Sequence, residues 1–155
     1  MSYLERLIAR TTRRPPDFIV GDGAVPYLRR WWLIPRNRFF NIYLHQFLRS
    51  DDDRALHDHP WINASILLRG CYVEHTIEAG GINRRTLRRA GDWKLRTGSS
   101  AHRLELINGE CWTLFITGCR YREWGFHCPQ RGWVHWKEFT AAENPGEIGR
   151  GCGEP

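Results

Sequence analysis

The chain has 155 residues, 41% of them hydrophobic and 26% charged, with a formal net charge of +6. This length supports one domain with a substantial core, and no apolar run is long enough to span a bilayer. Arg10, Arg13 and Arg14 interrupt the N-terminal apolar residues too early for a secretory leader, so a cytoplasmic protein is expected.

Ser2 and Glu5 have the spacing of a capping box, and Leu4, Leu7 and Ile8 recur at helical spacing. They predict a short amphipathic helix ending near Thr11. Arg13-Arg14-Pro15-Pro16 stops it, because proline opposes helix at and before its own position. Short strands follow. Asp17 to Val20 precedes a Gly21-Asp22-Gly23 turn, Arg30 to Ile34 ends at Pro35, and Phe39 to Leu48 leads to a polar Asp51-Asp52-Asp53 loop. His57 to Leu68 and Cys71 to Ile77 flank a bend at Arg69-Gly70, and Gly80-Gly81 turns the chain into Ile82 to Arg88. Asp92 to Arg96, His102 to Ile107, Cys111 to Thr117 (after an Asn108-Gly109 turn), Arg122 to His127 and Trp133 to Phe139 complete the set. Residues 142–155 are rich in Gly, Glu and Pro and read as a loose tail. The division is a helix and linker over 1–16, an all-β sandwich or barrel over 17–140, and a flexible tail over 141–155.

Cys71, Cys111, Cys119, Cys128 and Cys152 are odd in number and form no C-x-x-C pair. They read as reduced, mostly buried thiols, not as a disulfide framework or a zinc ribbon. The eight tryptophans are core and rim material. Arg84, Arg85, Arg88 and Arg89 fit a charged edge strand, which blocks unwanted strand pairing. No DNA- or RNA-binding motif accompanies them, so a nucleic-acid partner is not expected.

The chemistry-bearing pattern is His57-Asp58-His59, followed much later by His102. Two histidines one residue apart on a strand point to the same side. Imidazole is a common ligand for Zn, Fe, Cu and Ni, and three protein ligands leave a coordination position open. His57, His59, Asn63, Ser65 and Leu67 share one face of the predicted strand, while Ile62, Ala64, Ile66 and Leu68 share the other. The second face needs cover, from the N-terminal helix or from a second subunit in a homodimer. On the following segment His102, Leu104 and Leu106 share a face.

These segments resemble the two conserved motifs of the cupin superfamily. In the first motif Asp51 stands at the place of the opening glycine, His57 and His59 match the histidine pair, Asn63 stands at the glutamate position and Gly70 matches the closing glycine. In the second motif Gly91 and His102 match at the right separation, while Thr97, Ser99 and Leu106 replace a proline, a glycine and an asparagine. The His57-Asp58-His59-Pro60-Trp61 segment is similar to that of small bacterial and phage cupins, a likeness that implies no activity. The resemblance implies a double-stranded β-helix, the jelly-roll barrel, often dimeric. It implies one divalent metal held by His57, His59 and His102, with Asn63 in or near the metal shell. Fe(II) is the favoured ion, with Zn, Mn, Ni or Cu as alternatives.

Three neutral ligands leave the cation's charge unbalanced and favour an anionic ligand. The expected activity is oxygen-dependent chemistry on a small polar or anionic substrate, with Tyr43, His45 and Trp61 as pocket residues. The alternatives are a non-catalytic small-ligand-binding or sensing protein, and a metal-free sugar-nucleotide isomerase using Tyr43 and His45. Asp58 should face away from the metal and organise its loop. His127, Cys128 and His135 match no common zinc module and read as residues around a turn.

Overall fold

A computed structural model describes residues 3–21, 26–51, 55–143 and 147–153. Ser2 of the capping box, most of the Gly21-Asp22-Gly23 turn and Asp52-Asp53 lie outside these described residues. The described elements are, in order, helix α1 (Tyr3–Thr11), strands β1 (Phe18–Val20), β2 (Leu28–Trp32), β3 (Asn41–Phe47), β4 (Leu56–His57), β5 (Asn63–Arg69), β6 (Cys71–Glu78), β7 (Ile82–Arg89), β8 (Trp93–Arg96), β9 (Arg103–Leu106), β10 (Cys111–Thr117), β11 (Gly125–Cys128) and β12 (Gly132–His135), and the short helix α2 (Trp136–Phe139). The predominantly β, jelly-roll character expected from the sequence holds.

One wall is a six-stranded antiparallel sheet in the order β1-β2-β3-β10-β5-β8. Two smaller sheets, β12-β11-β4 and β7-β6-β9, complete the fold, and the isolated bridge His57↔His102 joins one to the other. Leu28, Phe47 and Leu67 of the six-stranded sheet pack with Tyr72 and Leu104 of the β7-β6-β9 sheet. On the other face of the six-stranded sheet, Ile8 of α1 joins Trp31, Leu44, Leu68 and Trp112 in a second buried cluster, with Ile66 at its margin. The helix therefore supplies part of the cover that the Ile66 and Leu68 face requires.

The predicted strand from His57 to Leu68 is two strands in two sheets. β4 pairs with β11, whereas β5 pairs with β10 and β8. Pro60 lacks the N–H a ladder needs, and the chain changes sheets there. At Gly70, φ is 89°, and a Cβ would sit 2.7 Å from the Glu110 carbonyl oxygen, so only glycine makes this bend into β6.

Two expectations near the C-terminus are corrected. Trp133 to Phe139 is not one strand. It is β12 followed by α2, whose first turn is capped by the His135 ring accepting a hydrogen bond from Lys137 N. The cysteines are not all reduced: Cys128 and Cys152 form a disulfide, while Cys71, Cys111 and Cys119 are free. The odd count concealed a pair whose members are far apart in sequence and 5.4 Å apart at Cα. Residues 147–153 make contacts with the rest of the chain. Gly149 N and Gly151 N both donate to Phe139 O, and Glu147 pairs with Arg49 at 3.1 Å.

Candidate metal centre and cavity

β4 carries His57, the stretch after it carries His59, and His102 precedes β9. His57 N donates to His102 O and His102 N donates to His57 O, both at 2.9 Å, so the two motif segments are locked side by side. His59 N is held by Gly98 O at 2.9 Å, and a Cβ at residue 98 would approach the His59 carbonyl oxygen to 2.6 Å. Backbone hydrogen bonds, rather than side-chain packing alone, thus fix where the three rings start.

The rings converge. His57, His59 and His102 each offer a ring nitrogen within 4.8 Å of the others. His59 Nε2 and His102 Nε2 are 3.0 Å apart. Two imidazoles on one first-row cation, each with a bond of about 2.1 Å, hold their nitrogens about 3.0–3.4 Å apart. The donor set and spacing fit a divalent transition metal. Among the described residues no second such cluster occurs.

Carboxylates stand behind two of the rings. His57 Nδ1 lies 3.7 Å from Asp51 Oδ2, which itself accepts from Leu104 N at 2.7 Å. His102 Nδ1 lies 3.4 Å from Oε1 of Glu74, a fully buried side chain on β6 that also pairs with Arg96 and with Arg88. A carboxylate behind a ligand imidazole favours the Nδ1–H tautomer and presents Nε2 as the free lone pair. Burial, the largest influence, pulls His102 down to about 4 against the upward pull of Glu74. Burial also pulls His59 well below the ordinary histidine value, helped by His57 and His102. Both rings are neutral near pH 7, the form that binds metal. Burial pushes the Glu74 carboxyl up, but His102 and Arg96 hold it well below the usual carboxylate range.

The triad lines a cavity of about 570 Å³ between the walls. That volume suits a small molecule. Trp61, Tyr43 and His45 also line it, as does Phe115, whose ring lies 5.9 Å from that of His59 and 5.1 Å from that of His45. His45 is buried and stacks 5.8 Å from Tyr43, but its Nε2 accepts a hydrogen bond from Arg30 Nε at 2.8 Å. Burial, then Arg30, keeps its pKa well below the ordinary value. A lone pair already engaged by a guanidinium is a poor proton acceptor, which counts against the Tyr43–His45 isomerase pair. Asn63 is buried on β5; its amide nitrogen reaches Trp61 O at 3.5 Å and its Oδ1 has no hydrogen-bond partner. Asp58 is fully buried and turned to the loop. It accepts from Gly125 N at 2.8 Å, from His127 at 3.1 Å and from Trp133 Nε1 at 3.1 Å, and pairs with Arg122 at 2.8 Å.

Sequence reading missed Glu74 and the cavity arginines. Glu74 shares the inward parity of Tyr72 on β6, but both faces of that strand carry apolar residues and the pattern does not say which is inside. Arg30 was hidden because β2 begins two residues earlier than the apolar run suggests, at Leu28.

No family model and no curated protein matches the chain. Solved structures do match it. Hydroxypropylphosphonic acid epoxidase from S. wedmorenis, in an Fe(II) form with substrate, superposes with a TM-score of 0.54 at 14% identity, over 68% of this chain and 57% of the epoxidase. The chain thus spans just over half of that enzyme's length. A protein of Ralstonia eutropha, provisionally assigned as a mannose-6-phosphate isomerase, gives 0.51 at 17% identity, over 66% of this chain and 92% of its own. A cupin superfamily protein from Desulfitobacterium hafniense gives 0.49 at 12% identity, over 63% and 83% of the two chains. At these identities the likeness is one of fold alone: the chain shares the antiparallel β fold of the epoxidase and of the Ralstonia protein.

Proposed function

We propose that this cupin-fold chain is a metal-binding protein whose His57, His59 and His102 hold one divalent cation, and that it acts as an Fe(II)-dependent oxygenase on a small polar or anionic substrate. The carrying observation is the convergence of three imidazoles on the lining of one cavity. Zn, Mn, Ni or Cu satisfy the same donor set. When bound, the cation supplies Lewis acidity and, in the case of iron, redox reactivity toward dioxygen.

The chain's own residues do the rest. Glu74 and Asp51 orient His102 and His57. Asn63 acts from the outer shell, through the Trp61 carbonyl, on the segment that carries His59. Trp61, Tyr43 and Phe115 wall the cavity and exclude bulk water, and burial keeps the Tyr72 phenol, pushed up to about 12, protonated. The expected homodimer is supported by an exposed apolar strip, Ile62, Trp93 and Leu95, beside the edge of β8 that is unpaired among the described residues.

The test is elemental analysis of protein purified without oxygen, beside a His57→Ala, His102→Ala variant. This is followed by oxygen uptake over a panel of small acids after loading with Fe(II). One metal per wild-type chain and none in the variant supports the centre, and equal metal in both removes these histidines from it. Metal without oxygen uptake on any substrate favours a binding or sensing role.

A further inference from the structure

The cavity has a second chemical pole. Among the described residues its lining includes five arginines and no aspartate or glutamate. Arg96 is neutralised by Glu74 behind the wall, and Arg120 pairs with Glu123 at 2.6 Å. The remaining three, Arg30, Arg36 and Arg38, have no carboxylate partner among the described residues. Arg36 and Arg38 rest on the rings of Trp32 and Phe39 near the mouth, 5.3 Å and 5.0 Å from the ring centroids.

Arg30 is the informative one. It is half-buried on β2, directly opposite His45 on β3. Nε is spent on His45, and the guanidinium carbon lies 4.9 Å over the Tyr43 ring. The two Nη groups make no hydrogen bond to the described protein. A guanidinium partly withdrawn from water without a counter-charge loses solvation that an anionic ligand would restore. Burial already pulls its pKa down, with Arg36 adding repulsion, yet guanidinium stays charged at neutral pH. The Nε bond to His45 and the contact with the Tyr43 ring hold the guanidinium in place and leave both Nη groups for two hydrogen bonds to an oxoanion.

We propose that Arg30 is the receptor for an oxoanion (carboxylate, phosphate or phosphonate) on the small molecule that fills the cavity, with Arg36 and Arg38 drawing that molecule to the mouth. This deepens, and rests on, the reading of the cavity as a ligand site beside the triad. His45 and Phe115 separate Arg30 from His59, so the substrate is bipolar. It places its reacting group at the imidazoles and its anion at Arg30. The same charge favours anionic over neutral ligands.

The test uses the full chain freed of metal with chelator, so that the triad cannot report. Calorimetric titration with acetate, inorganic phosphate and methylphosphonate is compared with titration by acetamide, a neutral match for acetate. We expect at least one oxoanion to bind and acetamide not to. Arg30→Gln should weaken that oxoanion at least tenfold, Arg30→Lys by less, and the mouth variant Arg36→Gln by two- to threefold. Unchanged affinity in both Arg30 variants, equal binding of acetamide and acetate, or no oxoanion binding to wild type overturns the proposal. Should Arg30→Gln not fold, Arg30→Lys and Arg36→Gln decide: unchanged affinity in both overturns it. Metal content of Arg30→Gln, expected to equal wild type, scores the triad separately.

Discussion

Glu74 Oε1 lies 3.4 Å from His102 Nδ1, and the same oxygen pairs with Arg96. One buried carboxylate therefore orients a ligand imidazole and neutralises a cavity arginine. Glu74→Gln should act on both. Loss of the orienting charge should cost about 10–100-fold in metal affinity. Stranding Arg96 should cost on the order of 3 kcal/mol in stability. Competition with a chromophoric chelator and urea unfolding of the metal-free protein read the two effects independently. A variant with wild-type metal affinity would mean that Glu74 serves only its arginine partners, Arg96 and Arg88.

Metal should also be a folding ligand. A cation that binds the assembled triad and not the unfolded chain stabilises by about 2.7 kcal/mol at a hundredfold excess over its dissociation constant. The melting temperature should rise on adding Fe(II) or Zn(II) to wild type. It should not move in His57→Ala or His102→Ala. An equal rise in the variants would place the binding elsewhere on the chain.

The convergence of His57, His59 and His102 was legible in the spacing of the two sequence segments rather than in strand parity, because His59 lies beyond the end of β4. Once His57 and His102 are opposite each other, both ends of the constellation are fixed by the backbone bridge. Leu104, on the parity of His102, lines the cavity as read. What escaped was everything depending on which face of a two-sided apolar strand is inside, as with Glu74, or on the start of a strand, as with Arg30. Distant pairing escaped too: nothing local in Cys128 or Cys152 announces the other.

The metal-free protein should lose stability on mild acidification. His45, His59 and His102 all have folded pKa values below the ordinary histidine value, with burial as the leading cause. Below about pH 6.5 the unfolded chain takes up protons that the folded chain refuses, so unfolding becomes more favourable as pH falls. The stability is fully present above that pH and is lost toward pH 4, where His102 itself protonates. Glu74, whose folded pKa is depressed, adds its own loss only below about pH 4.5. Urea midpoints with chelator present at pH 7.5, 6.5 and 5.5 should fall slightly across the first step and steeply across the second. A flat profile would contradict neutral burial of these rings.

The disulfide should stabilise the fold without touching the cavity. Cys128 and Cys152 close a segment with a sequence separation of 24, and such a loop constrains the unfolded chain by about 3 kcal/mol. Cys152→Ser should lower stability by an amount of that order and free the stretch that now donates from Gly149 and Gly151 to Phe139 O. Hydrogen exchange at those amides, beside unfolding with and without reductant, checks both. Metal content should be unchanged, since neither cysteine lines the cavity.

The last prediction concerns the face that α1 leaves open. The helix covers the sheet around Trp31, Leu44 and Trp112, but Ile62 is 52% exposed, Leu95 65% and Trp93 69%. Register places Trp93 beside Ile66 and Leu95 beside Ala64, so the exposed residues continue the apolar face that the helix partly covers. They also border β8, whose outer edge has no paired strand among the described residues. Contiguous apolar surface of this kind, next to an open strand edge, marks an association surface. A second copy of the chain meeting it across a two-fold axis would bury both. Light scattering should give a dimer mass for wild type and a monomer mass for a Trp93→Glu, Leu95→Glu variant, with far-UV circular dichroism unchanged. A wild-type monomer at tens of micromolar would remove the homodimer. A variant that stays dimeric would move the interface to another face.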